Sequence, residues 1–192
     1  MRARWREERD LHFSFSGLRT PSRNETLRQW FERHREALDP ATRRGPSRWL
    51  ATASHRLAGR RPLLPEAMAY PGLSLFASSR GRRFPVKAWD PDYYDTLCRS
   101  LFVLCPDGDF VWTYRFFEAM ACGALPVIES TCVHHEGFTF ATLDTPLAEL
   151  ERSPRALEEN FERCRERLTV PREALDAAIE AALSREAEAA VH

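Results

Sequence analysis

Lysine is almost missing from this chain of 192 residues: Lys87 stands alone beside 27 arginines. Coding bias accounts for most of that, although arginine is also the better fork for a phosphate. Neither sign of charge is in surplus, because 28 basic residues meet 28 acidic ones. That argues against a nucleic-acid-binding domain, whose affinity rests on net positive charge. No run of about 18 apolar residues occurs, so no membrane span is expected. The start, Met1-Arg-Ala-Arg-Trp-Arg-Glu-Glu, has no apolar segment of the kind a signal peptide carries. The five cysteines (Cys98, Cys105, Cys122, Cys132 and Cys164) are odd in number and contain no C-x-x-C. Reduced, buried thiols and a cytoplasmic location are the expectation. Also missing are a Ser-His-Asp arrangement, a G-x-S-x-G elbow and a G-x-x-x-x-G-K-[ST] phosphate loop.

What is present is globular composition, 43% hydrophobic and 29% charged in 22.2 kDa. That is one ordinary domain with a core of useful size. The charge is uneven. Residues 1–61 carry 15 arginines against 7 acids, and residues 62–192 carry 13 basic against 21 acidic residues. The first third is the side that suits an anionic ligand.

The pattern along the chain alternates strands and helices. Residues 1–10 read as a loose lead-in. Leu11–Gly17 alternates large apolar with small polar residues, so Phe13 and Phe15 share a strand face. A helix follows from about Pro21, with Ser22 or Asn24 as cap, and runs to Asp39-Pro40. Residues 40–88 are rich in Pro, Gly and Arg; one short strand at 49–53 is plausible, and the rest is read as irregular. Asp90-Pro91 opens a helix carrying Tyr93, Tyr94, Leu97 and Cys98. Leu101–Cys105 is a short apolar run that suits a buried parallel strand. A loop, a helix from Thr113 to Cys122 closed by Gly123, and a strand Leu125–Glu129 complete one βαβ unit. Phe138–Leu143 reads as a further strand. Pro154–Leu168 reads as a helix with Leu157, Phe161, Cys164 and Leu168 on one stripe. Pro171 opens a last helix with Leu175, Ile179 and Leu183. The division expected is a lead-in at 1–10, one α/β, Rossmann-like domain with a mainly parallel sheet of four to six strands at 11–170, and a helix and tail at 171–192.

Ligands of an open parallel sheet bind beyond the carboxyl ends of its strands. Three segments hold that position: Gly17–Arg23, Pro106–Arg115 and Glu129–Thr131. The helix near Thr113 aims its N-terminus, with free N–H groups and positive dipole end, at the same edge, which suits a phosphate. Arg115 lies in its first turn and adds a charge-assisted fork. Glu118 projects near the same face, where a carboxylate accepts from a ribose diol. The plainer alternative for both is a surface or structural ion-pair residue, with each other as one candidate partner. Asp107-Gly108-Asp109 reads as a turn rather than a metal pair, and no metal site is expected. Cys132, His134 and His135 have zinc-ligand character but no second ligand pair at standard spacing. His135 or Glu136 stands at the right edge to face a bound sugar.

Tyr94-Asp-Thr-Leu97, Ser100–Pro106, Gly108, Thr113-Tyr-Arg115 and Phe117–Ile128 together resemble the exostosin-like glycosyltransferases. That family carries serine-x-arginine, then glutamate, glycine and proline-valine at these spacings. Leu11–Gly17 and the arginine-bearing loop after it resemble the first strand and loop of the same half-domain. Glu118-Ala-Met-Ala-Cys-Gly-Ala-Leu-Pro-Val also looks like the nucleotide-sugar half of GT-B enzymes in general. The resemblance covers residues 11–150 and is most specific over 94–128. It implies the carboxy-terminal lobe of a GT-B enzyme, holding a nucleotide-diphosphate sugar as donor substrate with no permanently bound cofactor. Carried over by position, Arg115 becomes the diphosphate contact, Glu118 the ribose contact, and Thr113 stands where the family has serine. Gly108, Arg19 and Arg23 complete the donor-binding set. No catalytic base is identified. These 192 residues hold one lobe, so an acceptor-lobe protein is an expected partner, alongside the nucleotide sugar and a glycan or small-molecule acceptor. The alternative is a non-catalytic nucleotide- or sugar-binding module, or a truncated remnant, acting with such a partner. An exposed apolar stripe on the last helix would favour a missing lobe.

Overall fold

The computed structural model describes residues 2–38, 60–70, 72–78, 91–168 and 172–189. The suggested strand at 49–53, and the caps Asp90 and Pro171, lie outside them.

The first strand, β1 (Leu11–Gly17), puts Phe13 and Phe15 into one core cluster. Ser14 and Ser16, on the other face, are buried as well. An inner parallel strand is covered on both sides, so its polar face needs internal partners. Ser100 Oγ donates to the Thr96 carbonyl at 2.7 Å, which leaves Ser14 to donate to Ser100 Oγ, also at 2.7 Å. Helix α1 (Pro21–His34) follows. Its cap is Thr20, whose Oγ1 accepts the Arg23 N–H at 3.2 Å, rather than Ser22 or Asn24. Proline fixes its own φ and has no N–H to satisfy, so the helix begins at Pro21 and the cap falls one residue earlier.

Two strands come from the stretch read as irregular. They are β2 (Arg60–Pro62), antiparallel to its neighbour, and β3 (Leu73–Ser78), which pairs parallel with β1 from Phe13↔Leu73 to Gly17↔Ala77. The expected βαβ unit is present as β4 (Ser100–Cys105), α3 (Tyr114–Ala121) and β5 (Leu125–Ile128), preceded by α2 (Pro91–Arg99). The last strand, β6 (Ala141–Thr142), is only two residues long. Part of the alternating run before it is claimed elsewhere. Asn160 of α4 (Pro154–Leu168) accepts the Thr139 N–H at 2.8 Å and donates to the Thr139 carbonyl at 2.7 Å.

Among the described residues, six strands lie in the order β2-β3-β1-β4-β5-β6, all parallel except β2. This is an α/β, Rossmann-like sheet with helices on both faces. Side chains alternate across it. Phe102, Leu104, Leu125 and Val127 join one cluster with Leu27 and Phe31 of α1. Val103, Cys105 and Ile128 join the other with Leu97 of α2 and Phe116 and Met120 of α3. On α4, Leu157 and Cys164 are buried while Leu168 is exposed, so the expected stripe ends a turn early. Helix α5 (Arg172–Ala189) leaves Leu175, Ile179 and Leu183 exposed by 49%, 47% and 61%.

The lead-in is anchored. Trp5 Nε1 donates to the Ala121 carbonyl at 2.9 Å, and Arg9 Nη2 to the Cys122 carbonyl at 2.9 Å. Arg9 Nη1 also donates to the Ser100 carbonyl at 2.7 Å, and Arg152 Nη2 to the Gly123 carbonyl at 3.3 Å. These donors gather at the carbonyl end of α3, where the helix dipole is negative. Burial and the charge of Arg152 push the Arg9 guanidinium down to about 10, and it remains a cation at neutral pH. Arg9→Ala strips partners from several half-buried carbonyls. It is expected to cost about 1–3 kcal/mol of stability in urea unfolding, with Arg9→Lys recovering part of that.

Candidate functional site

The parallel strands reverse their order of succession at one place. From β1 the chain moves outward to β3; from β4 it moves the other way to β5 and β6. The loops after β1 and β4 therefore diverge, and the carboxyl edge between them is where such a sheet is expected to carry its crevice. A ligand site is expected at such a switch point.

The side chains at this crevice are tied across it. Arg115, in the first turn of α3, is 8% exposed, and its Nε donates to the Ser16 carbonyl at 3.1 Å. Its guanidinium carbon sits 4.3 Å from the centre of the Phe15 ring. Its Nη2 occupies the space that a Cβ at Gly17 would take, so Gly17 lets the cation lie against the end of β1. Its Nη1 is buried and has no hydrogen-bond partner. The neighbouring cap, Thr113, likewise has a buried Oγ1 with no partner and does not cap its own helix. A buried cationic donor without an acceptor is costly in a finished interior and ordinary in a site that awaits an anion.

Arg23 plays a similar part on the loop side. Its Nε donates to the Asp107 carbonyl at 3.0 Å, and Gly108 is the residue whose missing Cβ admits its Nη2. Glu129, at the end of β5, braces the same loop: Oε2 accepts the Asp107 N–H and Oε1 accepts from the Thr26 hydroxyl, both at 3.0 Å. Arg19 is exposed on the β1–α1 loop and is not drawn into these contacts. Burial, then the charge of Glu129, raises the Asp107 carboxyl above its usual range.

Glu118 does not pair with Arg115. Tyr93 donates to its Oε2 at 2.6 Å and Tyr94 to its Oε1 at 3.3 Å. Burial raises the pKa of both phenols, and the charge of Glu118 raises them further, so both remain donors. Each carboxylate oxygen keeps acceptor capacity for one more partner.

His135 belongs to the core rather than to the crevice. It is buried against Phe116, ring centres 4.4 Å apart. Its Nδ1 accepts the Cys132 N–H at 3.3 Å, which places the ring proton on Nε2. The Cys132 sulfur is 3.8 and 3.9 Å from the two ring nitrogens, so it faces the ring rather than one lone pair. Among the described residues no three His, Cys, Asp or Glu side chains group to hold a metal ion.

Of the residues singled out in the sequence, Arg115, Thr113, Gly108 and Arg23 lie at the carboxyl edge between β1 and β4, Glu118 lies further along α3 against α2, and Arg19 is exposed on the β1–α1 loop. Sequence reasoning missed the tyrosine clamp on Glu118, although Tyr93 and Tyr94 stand together at a helix start. It also missed Gly17 as the seat of a cation, and a set of aromatic side chains on the β4–α3 loop. Phe110 and Trp112 occupy alternate positions in a loop that ordinary turn chemistry would make polar, and Tyr114 follows two residues on as the first residue of α3.

The family model described as RXYLT1 C-terminal domain matches residues 86–150. That interval contains the whole of the 94–128 stretch on which the sequence resemblance is most specific, and it runs from before α2 to beyond β6. No curated protein and no solved structure matches the chain. Among the described residues no helix is long and apolar enough to cross a membrane.

Burial pushes the His135 pKa below its ordinary value of 6.5, more than the nearby Asp107 carboxylate can raise it. The unfolded chain therefore takes up this proton first, and stability falls as pH drops below about 6.5. The urea midpoint is expected to decline from pH ~7 to pH ~5.5, and more shallowly in His135→Phe, which keeps the ring packing and removes the titration.

Proposed function

We propose that the chain is the donor-binding lobe of a glycosyltransferase, and that the β1–β4 crevice holds the diphosphate of a nucleotide sugar. One observation carries this reading: a guanidinium more than nine-tenths buried, with Nη1 unpartnered, at the N-terminus of α3 and on the switch-point edge of the sheet. The family-model match over the same segment supports it.

The parts then have definite tasks. Arg115 and the first N–H groups of α3 hold the diphosphate and offset the charge that grows on it as the sugar leaves. Thr113 Oγ1 donates to a phosphate oxygen. Glu118, oriented by Tyr93 and Tyr94, accepts from the ribose hydroxyls. Arg23 and Gly108 keep the β4–α3 loop at the height where phosphate reaches these donors. Transfer to a glycan or other hydroxyl acceptor is the reaction this lobe serves.

A second reading has its own observation. The stripe of Leu175, Ile179 and Leu183 on α5 is exposed. An apolar stripe of this kind suits contact with another lobe. In that reading the chain binds nucleotide or sugar without turnover by itself and acts with a partner.

Calorimetric titration with UDP, GDP and ADP tests the crevice. One nucleotide is expected to bind, and Arg115→Ala to weaken it at least tenfold. Gly17→Ala is the control for folding. The nearest atoms to its Cβ are the flexible end of Arg115 and the Phe15 ring tip. It should weaken binding similarly while the urea midpoint moves little. A folded chain that binds none of the three nucleotides overturns the donor-lobe reading.

A further inference from the structure

The β4–α3 loop carries an aromatic rail beside the anion site. Phe110 is 71% exposed and Tyr114 54%, with the half-buried Trp112 between them. Phe110 and Trp112 lie nearly parallel, 20° between planes and 6.5 Å between centres. Tyr114 meets Trp112 edge-on at 5.3 Å, and His134, exposed on the next loop, does so at 5.5 Å. Single exposed apolar side chains are ordinary on a protein surface. A contiguous set drawn from two loops, with Val111 and Val133 also exposed, marks a contact site.

Its position says what it touches. The rail ends at Tyr114, next to the unpartnered groups of Thr113 and Arg115. Glu118 lies to the other side of them, clamped from α2, whereas the rail is buttressed by His134 from the connection after β5. In the sheet, α2 packs on β1 and β4, and β5 lies beyond β4, so the two features flank the helix N-terminus from opposite directions. A diphosphate held at Arg115 with its ribose toward Glu118 directs its other substituent toward the rail. That substituent is a sugar. Its C–H faces carry slight positive charge, and the faces of aromatic rings carry negative charge.

We propose that Phe110, Trp112 and Tyr114, with His134, form a carbohydrate platform that stacks the face of a pyranose beside the diphosphate site. The proposal rests on the nucleotide reading above for its orientation. Two sources present the same chemistry: the sugar of the donor, and a sugar of the acceptor glycan.

The test compares wild type, Phe110→Ala and Phe110→Trp, with binding read by calorimetry and by saturation-transfer NMR. The probes are UDP, GDP and ADP, their common nucleotide sugars, and a panel of neutral oligosaccharides. Phe110 is so exposed that its truncation should leave the fold intact, and unchanged binding of the free nucleotide verifies this. If the donor sugar occupies the platform, the nucleotide sugar binds more tightly than its nucleotide, and Phe110→Ala erases that margin. If the acceptor occupies it, an oligosaccharide binds with the nucleotide present, and Phe110→Ala weakens it several-fold. Phe110→Trp restores binding in either case. Nucleotide binding with neither response overturns the platform and leaves the donor lobe standing. An absence of all nucleotide binding removes the donor lobe, and with it the orientation on which the platform depends.

Discussion

Arg115 Nε donates to the Ser16 carbonyl across the switch-point crevice, and the rest of the site is arranged around that bond. It joins α3 to β1, two elements far apart in the chain, at the place where the sheet divides. The bond uses one face of the guanidinium and leaves Nη1 unpartnered. Phe15 beneath and the missing side chain of Gly17 beside it set the depth at which the cation rests. A lysine could not do this, since a single ammonium has no rigid fork with which to hold a carbonyl and present a second donor elsewhere.

The opposite end of the same helix is treated in the reverse sense. Trp5, Arg9 and Arg152 reach the carbonyls of Ala121, Cys122 and Gly123. The negative end of the dipole is thus saturated by protein donors, and the positive end keeps unpartnered groups at the crevice. Gly123, at φ 71°, turns the chain out of the helix straight into β5. The helix is only eight residues long, so little more than two turns separate its two termini. Fixing one end against the N-terminal lead-in and the start of α4 makes the position of the other end a property of the whole domain.

The parts legible in the sequence were those where periodicity and punctuation agree. Leu101 to Ile128 contains a proline-ended apolar run, a helix closed by glycine and a second apolar run. The βαβ unit, and the arginine at its helix start, followed from that. β3 was not legible, because Leu73-Ser-Leu-Phe-Ala sits among prolines, glycines and arginines that mask a five-residue pattern. β6 was over-extended because alternation alone cannot show that Asn160 takes the backbone of Thr139. The cap of α1 was misplaced because two good capping residues follow Pro21, and proline's own requirement outranks them. Glu118 stands out by type and spacing, but its tyrosine clamp needs the packing of α2 on α3, which no local pattern contains. The aromatic rail was written in plain view at alternate loop positions. Only its exposure separates it from core.

The two borders of the sheet also govern how copies of this protein can meet. On one side stands a strand of three residues, antiparallel and ending in Pro62; on the other stands a strand of two. Neither offers the long row of open amides and carbonyls on which another chain can add a strand. Among the described residues, the sheet therefore gives another molecule little backbone to extend at either margin, and contacts between copies fall to side chains on helices and loops.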